Sequence, residues 1–222
     1  MNIVCSAFRS RWLWITGCAT FYLFISTQNV SGQAGFFSLV NAVDLATNTI
    51  VSVDGRPLRP DGLKPGIVTG GLGFIAGTHR LDATNDGCKP VSLSLQLSPG
   101  SSPIVIVYAV DGKNASGQAI RELRLFSHAN MPAGDKKNFS LVYTGQLPLV
   151  SVAVNGQGKT LQPLKESALP SLTSVKIEQN NQPIGQFSPN DAGNYLIILF
   201  GNQPQLKAIL ADDIIFKQAG QR

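Results

Sequence analysis

The sequence predicts an all-β protein, built as two tandem antiparallel β-sandwiches behind an export signal. Three observations predict it. Beyond Gly35 the apolar residues come in short runs separated by turn formers; helical periodicity is almost absent; and a set of strand-and-turn phrases recurs in the same order in both halves.

The N-terminus reads as a leader, expected over residues 1–34. Arg9 and Arg11 supply a positive start, "WLWITGCATFYLFIS" (Trp12–Ser26) an apolar stretch, and "VSGQA" ends with Gly32 and Ala34 where a signal peptidase reads small residues, so cleavage is expected after Ala34. Two other readings stand beside it. A retained membrane anchor has against it a short apolar stretch broken by Gly17 and Ser26. Lipidation of Cys18 in "ITGC" leaves too few apolar residues before the cysteine. No later segment is long and apolar enough to span a bilayer, so membrane contact is expected only through the cleaved leader, with a periplasmic or secreted location.

The remainder is a succession of predicted strands. "FFSLVNAV", "TIVSVDG", "GIVTGGLGFIAG", "HRLDATNDG", "VSLSLQLSPG", "PIVIVYAVDG" and "ELRLFSH" run to His128; "FSLVYTG", "LVSVAVNGQG", "SVKIEQNN", "NYLIILFGN" and "LKAILADD" run to Asp213. Val91–Leu97 alternates apolar and polar residues, as a half-buried strand does. "DG", "NDG", "SPG" and "NG" supply turns because Gly, Asn and Asp tolerate the left-handed backbone that tight hairpins need. One stretch, "LQPLKESALPSL" (Leu161–Leu172), has room for a helical turn or two between Pro163 and Pro170.

The recurrence sets the domain plan. "FSLV" occurs at Phe37–Val40 and Phe139–Val142, each copy followed by "VSVDG" (Val51–Gly55) or "VAVNG" (Val152–Gly156) and then an x-L-x-P. Further on, "LSPGSSPIVIVYAV" answers "FSPNDAGNYLIILF", and "RELRLFSH" answers "QLKAILAD". A rival register, "LRLFSHA" over "FSLVNAV", keeps steadier spacing but loses the V-x-V-[DN]-G match. The expected domains are two immunoglobulin-like sandwiches, over 35–134 and 135–222, joined near "HANMPAGDKK" (His128–Lys137).

Composition narrows the function classes. Of three cysteines, Cys5 and Cys18 leave with the leader, so Cys88 has no intrachain partner and an apolar core must carry stability. The formal charge of +5 falls by two with Arg9 and Arg11, and no basic run remains as a footprint for nucleic acid. His79 and His128 are the two histidines. Neither has a metal-spaced Cys or His, and there is no G-x-S-x-G, so both read as structural or surface residues. Asp82, three residues from His79, falls on the opposite strand face. "GGLG" (Gly70–Gly73) lacks the spacing of a phosphate loop and reads as a strand edge or bulge. "DATNDG" (Asp82–Gly87) lacks the alternating ligands and closing Glu of a calcium loop and reads as a solvated hairpin turn. Sequons stand at Asn114 and Asn138. Both tryptophans lie in the leader, and Tyr108, Tyr143 and Tyr195 sit in or beside apolar runs, so no aromatic platform for a sugar ring is apparent. Catalytic, cofactor-binding and metal residues are therefore all expected to be absent, and the binding residues are not assignable.

"FSLVNAVDLATNTIVSVDGRPL" resembles the opening of a secreted bacterial β-sandwich family whose domains begin V-R-V-x-N-A … V-x-V-x-G. "KKNFSLVYTGQLPLVSVAVNGQGKTL" and the closing "YLIILFGNQPQLKAIL" fit the same mould. Leader, length and two such domains together resemble the periplasmic accessory proteins of alginate O-acetylation. That resemblance implies a non-enzymatic adaptor in O-acetylation of an alginate-like exopolysaccharide, with polysaccharide acetyltransferases as protein partners and the polysaccharide as a further one. It carries over no catalytic residues. Asn41-Ala42 matches the family's N-A step, whereas Tyr143-Thr144 does not. Two readings remain beside the adaptor: an exported binding module for cell-surface or extracellular partners, and an esterase or acetyltransferase whose activity would be lost on changing either His79 or His128, each being required.

Overall fold

The computed structural model describes residues 33–129, 136–169, 172–201 and 205–212. The expected leader, apart from its last two residues, and the 134/135 boundary lie outside them. Every regular element described is a β-strand.

The first half contributes β1 (Ala34–Asn41), β2 (Ile50–Val53), β3 (Arg56–Pro57), β4 (Leu72–Ile75), β5 (Gly77–Thr84), β6 (Cys88–Lys89), β7 (Val91–Leu97), β8 (Ile104–Lys113) and β9 (Ala119–His128). They form one sheet in the order β4-β1-β8-β9-β6 and another in the order β3-β2-β5-β7. The second half contributes β10 (Lys137–Tyr143), β11 (Val150–Val154), β12 (Gln157–Leu161), β13 (Ser167–Leu169), β14 (Val175–Gln179), β15 (Gln182–Phe187), β16 (Gly193–Phe200) and β17 (Lys207–Asp212). Their sheets run β13-β10-β16-β17 and β12-β11-β14-β15. The ladders are antiparallel except β1–β8, β10–β16 and β6–β9, which are parallel.

The two copies of "FSLV" occupy one structural position. Ser38 pairs with Ile104 on β8 as Ser140 pairs with Leu196 on β16. The turns after them match in backbone and bonding. Asp54-Gly55 and Asn155-Gly156 have positive φ at both residues, 49° and 78° against 50° and 79°. In each, the side-chain Oδ1 accepts an amide from the neighbouring strand: Arg80 N to Asp54 at 2.9 Å, and Lys176 N to Asn155 at 2.7 Å. Later strands correspond too, with the register adjusted. Relative to a direct overlay of the Ser-Pro turns, Ile104 takes the place of Leu196 rather than of Asn194, because the second loop into its strand is longer.

The described part of "LQPLKESALPSL", Leu161–Leu169 and Leu172, forms no helix. Leu164 takes a positive φ of 58°, and Ser167–Leu169 instead pairs along Phe139–Leu141. A ladder that completes the edge of β10 outweighs the weak propensity of a short proline-bracketed segment.

Each sandwich has its own core. Phe37, Leu39, Val51, Leu81, Leu97 and Val105 are buried in the first, and Phe139, Leu141, Val152, Ile177, Ile197 and Leu199 in the second. A third core lies between them, where Val40, Ile104, Ile106 and Tyr108 meet Val142, Leu196, Ile198 and Phe200. The two sheets containing β8 and β16 thus face each other, and each is covered on both sides. Alternate residues serve the two cores: Val105 and Val107 point into the first sandwich while Ile104 and Ile106 point between the sandwiches. This accounts for "PIVIVY" and "YLIILF" being unbroken apolar runs, whereas half-exposed β7 alternates. The result is a four-layer stack.

Truncating a residue of the middle layer removes packing from both halves at once. Ile198→Ala, at a fully buried site, is expected to cost about 2–4 kcal/mol while leaving a single unfolding transition, as read by urea denaturation. Two separate transitions in the parent chain would count against a shared core. A second expectation concerns Gln179, which is 3 % exposed and whose Oε1 and Nε2 lack hydrogen-bond partners. Ala83 holds the matching place in the first sandwich. Gln179→Leu removes a buried unmet amide and should raise stability by about 1 kcal/mol, measured the same way.

Candidate functional site

Among the described residues no group of three or more His, Cys, Asp or Glu is arranged to hold a metal ion. The strongest chemical constellation surrounds His79 on β5. Its partner is not Asp82 but Asp54, brought across the sheet by the Val51–Gly55 turn. Nδ1 of His79 lies 2.7 Å from Asp54 Oδ2, and Nε2 lies 2.8 Å from the carbonyl oxygen of Ile75. The ring sits 5.3 Å from that of Phe74, which stacks on buried Phe37. Asp82 instead accepts from Ser92 Oγ and Arg80 Nε on the outer face.

A carboxylate and a carbonyl both accept, so this geometry is fully satisfied only when both ring nitrogens carry protons. The Asp54 bond, followed by the Ile75 carbonyl, raises the His79 pKa above its ordinary value despite partial burial. The same bond, followed by the Arg80 amide, holds Asp54 below the usual carboxylate range. A general base needs a free lone pair, and His79 has none to offer here. The arrangement acts as a staple joining the β2–β3 turn, β4 and β5.

His128, at the end of β9, reaches into the other half, with Nδ1 3.2 Å from Glu166 Oε2. A second link crosses the same seam, where Lys207 Nζ donates to Asp44 Oδ1 at 2.7 Å. Beside it lies a small open cleft lined by Ala42, Asp44, Ala109, Arg121, Gly145 and Gly201. Arg121 is engaged with Asp111 at 3.1 Å, so the charges of the rim are already neutralised.

No protein-family model matches the chain, and a search of curated proteins found no match.

Several features come into focus only in three dimensions. Tyr108, Tyr143 and Tyr195 are 7 %, 0 % and 8 % exposed, and Tyr195 stacks on Phe139 at 5.3 Å, so none offers a ring to a ligand. Asn41-Ala42 and Tyr143-Thr144 prove to be two solutions of one corner. The amides of Ala42 and Thr144 donate to Val107 and Leu199, and the carbonyls of Asn41 and Tyr143 accept from Gly66 and Leu164. Asn41 then secures its loop by donating to the Leu63 carbonyl, and Tyr143 by accepting from the Leu147 amide through its hydroxyl. Gly145 is required there, since a Cβ would overlap the Tyr143 ring.

The turn at "DATNDG" is less solvated than its composition suggests. Asn85 is buried, and its amide donates to the Thr47 and Asn48 carbonyls and to Thr49 Oγ1, clamping the β1–β2 loop. "GGLG" leads into edge strand β4, where Gly73 makes room for the Phe36 ring. Cys88 is free, and burial pushes its thiol pKa up. No described helix is long and apolar enough to cross a membrane.

The staple has a pH signature. His79 titrates higher folded than unfolded, where it lies near 6.5, so its contribution is complete below that pH and fades as pH rises through the raised value. Asp54 works in the opposite sense, contributing fully above about pH 4 and losing its effect as pH falls. The urea midpoint is therefore expected to decline from about pH 6 upward, and His79→Gln should flatten that decline. An identical decline in the variant would assign it to another group.

Proposed function

We propose that the chain is a non-enzymatic periplasmic adaptor in O-acetylation of an alginate-like exopolysaccharide, acting by contact with acetyltransferases. The observation that carries this reading is the four-layer stack. Its middle core makes one body of two sandwiches and leaves two outer sheets, β3-β2-β5-β7 and β12-β11-β14-β15, on its opposite sides. Both solvent faces are polar and carry a cation. Thr78, Arg80, Ser92 and Ser94 are exposed on one, Ser151 and Lys176 on the other. A body with two outer sheets held apart by a shared core suits a protein that holds two partners at a fixed separation. Further support comes from the leader-like N-terminus, the V-x-V-x-G resemblance, and a histidine whose two ring nitrogens are both engaged.

The partners are protein surfaces, with the polysaccharide a secondary contact. A sugar-binding role would draw on exposed aromatic rings, whereas the three tyrosines named above are buried.

The test is retention of periplasmic proteins on the immobilised chain. A polysaccharide acetyltransferase is expected in the retained fraction, and its loss when Arg80 or Lys176 is changed to Glu would locate the contacting face. Retention of the chain on polysaccharide with no acetyltransferase bound would favour an exported binding module instead. Acetyl-ester hydrolysis abolished by His79→Ala or His128→Ala would overturn the adaptor reading altogether.

A further inference from the structure

The edges of the sheets are not equally guarded. A strand at a sheet edge leaves a row of backbone donors and acceptors unpaired, and proteins commonly blunt such edges with charge, proline, irregularity or brevity. Most edges here carry one of these devices. β3 and β6 are two residues long and β13 three; β12 carries Lys159; β17 carries Lys207 and Asp212. β15, the counterpart of β7 in the second sandwich, holds Pro183 and faces a register break between Ile177 and Glu178. β4 is four residues long with Gly73 inside it.

β7 has none of them. It runs seven residues, Val-Ser-Leu-Ser-Leu-Gln-Leu, with no charge and no proline, in unbroken register with β5 from Leu97 opposite Gly77 to Val91 opposite Ala83. Its other side ends the sheet. Ser92, Ser94 and Gln96 are exposed, while Val91 and Leu93 are only partly covered at the rim of the first core.

The strand is also self-complementary. Laid antiparallel against itself about Ser94, it sets Leu93 opposite Leu95, Ser92 opposite Gln96 and Val91 opposite Leu97. Apolar residues meet apolar, polar meet polar, and no like charges face each other. An isologous two-fold contact requires such a match of one surface with itself.

We propose that two copies of the chain associate through β7, antiparallel about Ser94, so that their outer sheets join into one continuous sheet. The new ladder pairs the free backbone groups of β7, and Leu93 of each copy gains Leu95 of the other as a cross-strand neighbour. The four-layer stack stays intact within each copy, because β7 lies in the outer sheet and not in the middle core.

Sedimentation or light scattering of the purified chain over a concentration series tests this, together with two variants at exposed Ser94. The parent is expected to be dimeric. Ser94→Lys sets two ammonium groups face to face at the dyad and should weaken the dimer roughly tenfold or more, with unchanged far-ultraviolet circular dichroism. Ser94→Cys, made together with Cys88→Ser, should form a disulfide-linked dimer on oxidation, mapped by mass spectrometry to Cys–Cys at position 94. A parent that stays monomeric at high concentration overturns the proposal, as does a dimer indifferent to Ser94→Lys. A cross-link that never forms at position 94 likewise overturns it.

Discussion

The structure depends on one packing arrangement: two sheets, each apolar on both faces, pressed against each other. β8 and β16 lie at its centre, each serving its own sandwich with one set of alternate residues and the neighbouring sandwich with the other. A solvent-facing sheet can alternate polar and apolar residues, but these strands have no solvent-facing side. Burial on both faces forbids charge along Ile104–Tyr108 and Tyr195–Phe200, and it fixes the register of the strands beside them, because a slip of one residue would exchange the two cores.

Much else follows from that layer. In each "FSLV", Phe and Leu face the sandwich's own core, while Val turns toward the other sandwich. The motif therefore encodes a strand with two apolar faces, and its repetition reflects two strands under the same constraint. The Asp44–Lys207 ion pair and the His128–Glu166 contact cross the seam at its margins. Being partly exposed, they contribute far less than the apolar contacts between them.

The fold was largely legible in the sequence, because its signals are local. Alternation in Val91–Leu97, the D-G and N-G turns and the ordered repeat each report a strand or hairpin through nearest neighbours. The stacking of the sandwiches was less legible, although its trace was present in the unbroken runs at Ile104–Val107 and Leu196–Phe200. Those runs are equally compatible with a strand buried inside one sandwich. The His79 site was the least legible. Proximity along the chain suggests Asp82, but strand geometry turns that residue away, and Asp54 arrives from 25 positions earlier through a turn. Only the pairing of β2 with β5 brings the two together.

The paired turns also bear on how the protein ages. Asn155-Gly156 is a sequence in which asparagine is prone to lose its amide nitrogen, since glycine leaves the next backbone nitrogen unhindered to attack the side chain. Here the carboxamide is held at both ends, its oxygen by the Lys176 amide and its nitrogen by the Ser174 carbonyl. The imide opens to isoaspartate, which reroutes the backbone through the side chain, or to aspartate, the residue the first sandwich already carries at position 54 with the same backbone φ and the same accepted amide. On the aspartate branch alone, the turn of the first sandwich is a working template for the altered turn of the second, at the loss of the bond to Ser174.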